Sequence, residues 1–231
     1  MRKILINLFL ILCLNISAQE ILPLKKRAEI INKLQQDRFQ NLLPDIMNEN
    51  DIDMWVIMTR EYNEDPVIKT MLPPTWLNAR RRTILVFSKY KKTGKVKSVA
   101  ITRYPFGKNI PSIWVKEEEP DQLKALSDYI EKENPTKIGI NFSKHESLSD
   151  GLSKNGFDEL YNSLSKKFQK RLVSAEKLSV AWIETRTDLE MIIFSKLVEI
   201  SNNIIKEAFS TKVITPGVTT TDDVVWWMRE K

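Results

Sequence analysis

Cysteine and histidine are nearly absent from this 231-residue sequence. The only cysteine is Cys13, and the only histidine is His145. A zinc site needs several histidine, cysteine or carboxylate side chains, and a catalytic triad needs a base beside its nucleophile. The paired histidines of zinc proteases and a Gly-x-Ser-x-Gly nucleophile motif are both missing. The sequence therefore predicts no metal site and no catalytic residue in this chain, and it predicts that His145 is solvated.

Glycine is also scarce, and the excess of positive charge is small. Six dispersed glycines cannot form a dinucleotide fingerprint or a phosphate loop. The formal net charge is +6, and its basic residues are scattered among acidic ones. A nucleic-acid partner is therefore not expected. The triplet Arg80-Arg81-Arg82 has two interpretations, a solvated surface or a clamp for a carboxylate or phosphate.

A long apolar run occurs only at the start of the sequence. Arg2-Lys3 precedes the apolar residues 4–14, and Ser17-Ala18 follows them. These are the three parts of a secretory signal peptide, and the run is too short to span a bilayer. We expect cleavage after Ala18, export to the periplasm or the exterior, and no membrane association afterwards. Because Cys13 lies in the signal, the mature chain would need no disulfide.

Helical and strand patterns alternate over residues 19–174. An amphipathic helix is predicted over 24–50, with a break at Pro44. Helices are predicted over 120–134 and 156–168, and strands over 53–59, 83–87, 96–102, 137–141 and 171–173. The alternation predicts an α/β layer domain with a mixed sheet that ends near Ser174.

Residues 175–231 have a different pattern. A short helix is predicted over 175–184 and a longer one over 187–211, whose apolar stripe is wide. A Thr-Pro-Gly turn then leads to a helix that carries Trp226-Trp227. Nothing later in the sequence could cover these tryptophans, so we expect this region to be the linker and first helices of an incomplete second domain, in the front part of a larger protein.

Six sequence blocks together resemble one protein family. They are DMWVIMTREYNEDP at 53–66, RRTILVF at 81–87, IGINFS at 138–143, SDGL at 149–152, ETRTDLE at 184–190 and ITPGVTTTDDV at 214–224. The combination resembles the secreted, Xaa-Pro aminopeptidase-like branch of the pita-bread metallopeptidases, which include prolidase and creatinase. The resemblance implies a three-layer creatinase-type N-terminal domain, followed by the first helices of a truncated pita-bread domain.

The resemblance also implies a function for the parent protein. The family hydrolyses the bond before proline with two divalent metal ions, such as manganese, cobalt or zinc, held by Asp, Asp, His, Glu and Glu. All of these ligands would follow Lys231, so none is assigned here. The resemblance further implies a homodimer, proline-containing peptide substrates and an N-terminal domain that shapes the substrate entrance. Our candidates for entrance contacts are Arg60, Glu64, Asp65, Trp76 and Arg80.

Two alternatives remain at this point. The chain could be a naturally short, exported binding or scaffold protein that kept the accessory domain and lost catalysis. It could also be an unrelated periplasmic α/β module that shares these patterns. The first alternative would be excluded by an in-frame continuation that carries the five metal ligands.

Overall fold

The structure is a computed structural model that describes residues 22–90 and 93–231. The predicted signal peptide, its cleavage site and Cys13 lie outside the described residues. The described chain divides into two compact units, residues 28–190 and residues 22–27 with 191–231. Within the described part, no helix combines the length and the apolar character that crossing a bilayer requires.

A five-stranded mixed sheet lies at the centre of the unit 28–190. The strands are β1 (Met54–Arg60), β2 (Arg82–Lys89), β3 (Val96–Ala100), β4 (Ile138–Ile140) and β5 (Leu172–Ser174). Their order is β3-β2-β1-β4-β5. β2 is antiparallel to β1 and β3, whereas β4 is parallel to β1 and β5. The predicted mixed α/β sheet is confirmed.

Helices precede, connect and follow these strands along the described chain. They are α1 (Leu24–Asp37), α2 (Leu43–Glu49), α3 (Pro66–Met71), α4 (Gln122–Glu133), α5 (Lys154–Ser163), α6 (Lys166–Gln169), α7 (Glu176–Glu184), α8 (Asp188–Ala208) and α9 (Thr221–Glu230). The helix predicted over 156–168 is two helices, because Leu164 and Ser165 have extended backbone conformations. Asn162, Ser163 and Ser165 favour helix ends, since their side chains compete for backbone hydrogen bonds.

The central strand is buried on both faces, which makes the unit three layers thick. Trp55 and Ile57 pack in a cluster with residues of α2, α3 and α7. Met54 and Val56 pack in a second cluster with residues of α4, α5 and α6. Successive side chains of a strand alternate between its faces, so one continuous apolar run supplies both cores. The three-layer arrangement that the resemblance implied is present.

A π-helical turn, Arg38–Leu42, joins α1 to α2. Pro44 lies two residues after its end; proline has no amide hydrogen, and its ring would clash with the carbonyl four residues earlier. The backbone widens instead, and the amide of Leu43 donates to the carbonyl of Arg38, five residues back. The break predicted at Pro44 is thus present as a wide turn. Arg38 and Phe39 belong to this turn, and their side chains are buried.

Helix α7 belongs to the core of the unit 28–190. Trp182 is buried, and its ring stacks on Phe39 at 5.5 Å between centroids. Its indole nitrogen donates to Thr70 Oγ1 at 2.8 Å. The compact unit 28–190 therefore includes α7, and the domain boundary near Ser174 stays a prediction.

In the other unit, α8 continues from Met191 and a turn with Gly217 leads to α9. Thr220 and Asp223 form a reciprocal capping box at the start of α9, and the hydrogen bonds from Thr220 lower the pKa of Asp223. Trp226 is exposed. Other exposed apolar side chains of this unit include Met191, Ile192, Phe194, Leu197, Val198, Ile205 and Phe209.

Candidate functional site

An open groove of about 910 Å³ lies at the edge of the sheet where β1 and β3 end and β2 begins. We call it the basic groove. Its cationic side chains are those of Arg60, Arg80, Arg81, Arg82, Arg103 and Lys116, and its aromatic side chains are those of Trp76, Tyr104 and Trp114. Among the residues that line it, Glu61 carries the only carboxylate.

Three of the five residues predicted from the sequence meet in this groove. Arg60 ends β1, whereas Trp76 and Arg80 lie in the long loop that precedes β2. The antiparallel pairing of β1 with β2 places Arg60 opposite Arg82, so the end of one strand and the loop before the other share one edge. Glu64 and Asp65 lie nearby in sequence but do not line the groove.

One wall of the groove is fixed by Glu159 of α5. Its two carboxylate oxygens accept hydrogen bonds from Arg60 and Arg82, each at 2.9 Å. The Nε of Arg82 also donates to Gln122 Oε1 at 2.9 Å. These ion pairs are partly exposed, so each contributes little to stability, but together they hold the orientation of two guanidinium groups.

The lining of the groove also contains an aromatic contact. The guanidinium of Arg80 lies over the ring of Trp76, 4.5 Å from its centroid. Trp76 meets Phe106 edge to face, with centroids 5.3 Å apart. Phe106 is buried, so the tryptophan is fixed to the core and supports the arginine above it.

Arg81 has a strained backbone. Its φ is +50°, in the left-handed region that favours glycine. Glu61 forms hydrogen bonds with both backbone polar groups of Arg81. The amide of Glu61 donates to the carbonyl of Arg81 at 2.6 Å, and the carboxylate of Glu61 accepts from the amide of Arg81 at 3.1 Å. Strain in a non-glycine residue is concentrated at functional sites, which makes Arg81 a notable member of the groove.

Replacing Arg81 with glycine is expected to stabilise the chain. Glycine adopts positive φ without the clash, and Arg81→Gly should raise the free energy of unfolding by about 1 kcal/mol, measured by urea denaturation. Arg80→Gly is the matched control, because the φ of Arg80 is not positive. Arg80→Gly should lower the free energy of unfolding, since glycine at position 80 only increases the conformational entropy of the unfolded chain. Equal losses in both variants would contradict the assignment of strain.

The side chain of Glu64 connects the segment that follows β1 to the segment that precedes β2. Its Oε1 accepts hydrogen bonds from the amides of Tyr62, at 3.0 Å, and Ala79, at 3.1 Å. Tyr62 follows β1, whereas Ala79 precedes β2. The side chain therefore holds the loops at a fixed separation, and a contact between Glu64 and a substrate stays a prediction.

Asp65 lies beneath the same loop and is buried. It caps α3 by accepting from the amides of Val67, at 2.7 Å, and Ile68. Its other oxygen accepts from Asn141 Nδ2 at 2.9 Å, and Asn141 in turn accepts from the indole of Trp55 at 2.7 Å. Burial raises the pKa of the Asp65 carboxyl, and these hydrogen bonds partly offset the rise. The observed role is structural, so its contact with a substrate also stays a prediction.

Sequence reasoning missed half of the groove. Arg103 and Tyr104 follow β3, and Trp114 and Lys116 lie in the loop before α4. Their position beside the arginine triplet follows from the pairing of β3 with β2, which a linear reading does not reveal. The available signal was the repeated association of a cationic with an aromatic residue in one long loop.

The remaining polar candidates form no metal centre. In the ranges 22–90 and 93–231, no group of three or more histidine, cysteine, aspartate or glutamate residues could hold a metal ion. His145 is exposed, as the sequence predicted.

Comparison with solved structures gives a structural likeness, whereas comparison with sequences gives none. Neither a protein-family model nor a curated protein sequence matches the chain. A solved Xaa-Pro dipeptidase from Bacillus anthracis is similar to it, with a TM-score of 0.48 and 14% sequence identity. The match covers 85% of this chain and 48% of the dipeptidase, so the chain spans about half the length of that protein. A likeness of this extent identifies no activity, substrate or partner of this chain.

Proposed function

We propose that this chain is the N-terminal part of an exported Xaa-Pro aminopeptidase-like metallopeptidase, and that the basic groove admits its peptide substrate. The observation that carries the proposal is the meeting of Arg60, Trp76 and Arg80 in one open groove. Arg60 belongs to the first block of the family-like sequence, and Trp76 and Arg80 lie between the first block and the second. Loops at the edge of a sheet are common positions for binding residues.

The chemistry of the proposed parent resides elsewhere. Two divalent metal ions would activate water for hydrolysis of the peptide bond before proline. The described residues do not fit such a centre, because they contain no group of ligands for it. We therefore assign the metal ions to a part of the parent outside the described residues, and we give this chain a role in substrate access and dimerisation.

The exposed apolar side chains of α8 and α9 support a larger parent. Ile192 and Phe209 are 71% and 68% exposed, and Trp226 is 54% exposed. Several large apolar side chains exposed on two helices favour packing against another segment or subunit. We propose that a further part of the parent, or its dimer partner, covers this surface.

The test compares this chain with the same chain extended along its coding sequence to the natural stop codon. Aminopeptidase activity on an Xaa-Pro peptide is measured for both, with manganese, cobalt or zinc supplied. We expect activity in the extended protein alone. Activity in the 231-residue chain would show that the chemistry lies within it, contrary to the proposal.

A second candidate is favoured by the charge of the groove. A short exported binding protein would also need a concave surface with several unpaired cations. It predicts that the coding sequence stops near Lys231 and that no Xaa-Pro activity is found in any form. An in-frame continuation with Asp, Asp, His, Glu and Glu at family spacing would exclude this candidate.

A further inference from the structure

We propose that the basic groove selects acidic peptides, by ion pairs with their aspartate and glutamate side chains. This inference rests on the proposed function, which supplies a peptide as the ligand. The inference adds the chemical class of that peptide. Its support is the charge of the groove, the positions of the cations along the groove and the contacts of the aromatic residues.

The charge of the groove is only partly neutralised. Glu159 pairs with Arg60 and Arg82. Within residues 22–90 and 93–231, no ion pair is formed by Arg80, Arg81, Arg103 or Lys116. All four of these residues are exposed. A concave surface with several free cations concentrates negative ligands and orients them as they approach.

The free cations are spread along the groove. Arg80 and Arg81 precede β2, Arg103 follows β3, and Lys116 lies in the loop before α4. A single phosphate or acetate could contact one of these segments, whereas the volume of about 910 Å³ is large enough for several residues of an extended chain. Several carboxylates on one peptide match this arrangement better than one small anion does.

Two of the three aromatic residues of the groove, Trp76 and Trp114, favour a peptide over a single-stranded nucleic acid, whereas Tyr104 is exposed. Stacking of bases requires open aromatic faces. One face of Trp76 is covered by Arg80, and its ring meets Phe106 in an edge-to-face contact. The indole nitrogen of Trp114 donates to the carbonyl of Glu119 at 2.7 Å, which fixes its ring as part of the wall. Such rings offer apolar contact to peptide side chains, while the arginines remain available to carboxylates.

The test is fluorescence anisotropy with two labelled hexapeptides that end in an amide. One contains three glutamates, and the other contains glutamine at the same positions. The glutamate peptide should bind this chain at low salt, and the Arg80→Gln/Arg103→Gln variant should bind it about tenfold more weakly. The control variant Lys144→Gln/Lys170→Gln has the same change in net charge outside the groove and should stay within about twofold of the unaltered chain.

Three results would overturn the inference. They are equal binding of the two peptides, equal losses in the groove and control variants, and binding of a heparin fragment or an oligonucleotide without binding of the glutamate peptide. Arg81→Gly is a second groove variant that we expect to fold well, and its weaker binding of the glutamate peptide would support the inference.

This readout is independent of catalysis. If the extended protein is inactive while the glutamate peptide still binds the groove, the proposed function fails and the acidic-ligand site stands. If the extended protein hydrolyses Xaa-Pro peptides but charge has no effect on binding, the proposed function stands and this inference fails.

Discussion

Gly151→Ala should destabilise the unit 28–190 by about 3 kcal/mol, because a methyl group at this position has no space. An added Cβ would lie 2.1 Å from Oδ2 of Asp65, 2.3 Å from its Cγ and 2.7 Å from its Cβ. Asp65 cannot move away freely, since it caps α3 and accepts a hydrogen bond from Asn141. The substitution would therefore displace a buried carboxylate from partners that it needs in order to remain buried.

The measurement is the free energy of unfolding from urea denaturation, with Gly156→Ala as the control. A Cβ at Gly156 would approach Leu152 Cδ1 at 3.0 Å and Ser153 Oγ at 3.1 Å. Leu152 can rotate away, and alanine is the better helix former in α5, so the control should change stability by less than about 1 kcal/mol. If both variants lose a similar amount of unfolding free energy, Asp65 can move away from the added methyl group, and the expected clash is contradicted.

Arg38→Ala should cost about 3 to 4 kcal/mol, because it leaves buried acceptors without their donor. The guanidinium donates to Glu190 Oε2 at 2.7 Å, to the carbonyl of Thr185 at 2.9 Å and to the carbonyl of Trp182. It also lies 4.3 Å from the centroid of the Trp182 ring. Burial lowers the pKa of Arg38, so these partners offset the cost of keeping a charge there.

The destabilisation by Arg38→Ala should also affect the start of α8. Glu190 Oε2 also accepts from the amide of Thr187 at 2.9 Å, and the amide of Glu190 is hydrogen-bonded to Thr187 Oγ1. This carboxylate thus caps the helix and pairs with Arg38. Hydrogen exchange of Thr187 and nearby amides in the Arg38→Ala variant measures the effect, and it should be faster than in the unaltered chain.

An exposed ion pair provides the control for Arg38. Lys154 pairs with Asp158 four residues later, and the side chains are 80% and 45% exposed. Lys154→Ala should change stability by less than about 0.5 kcal/mol, since solvent screens the pair. If Arg38→Ala costs no more than Lys154→Ala, the buried contacts of Arg38 do not contribute as described.

Much of the fold was predictable from local patterns. The apolar run Met54-Trp55-Val56-Ile57, rich in strand formers, predicted a strand, and Pro44 predicted the break that is present as a π-helical turn. These signals are local, because proline geometry and hydrophobic periodicity act within a few residues. The helix break at Leu164 was missed because the apolar spacing continued across it.

The contacts that are distant in sequence were less predictable. Gly151 gave no sign that its missing side chain makes room for Asp65, which lies 86 positions earlier. Arg103 and Lys116 gave no sign that strand pairing brings them beside the arginine triplet. Sheet register and helix packing decide such contacts, and both depend on the whole chain. The resemblance directed attention to Arg60, Trp76 and Arg80, which line the groove, but not to its residues after β3.

The left-handed backbone of Arg81 has a consequence for the evolution of this protein. At position 81, selection for stability alone would favour glycine or asparagine, since both accept the conformation more easily than arginine does. If relatives keep a cation at position 81, selection for ligand binding in the groove would explain it, because stability alone favours smaller residues there. In lineages that have lost the ligand, this residue is expected to be among the first in the groove to change.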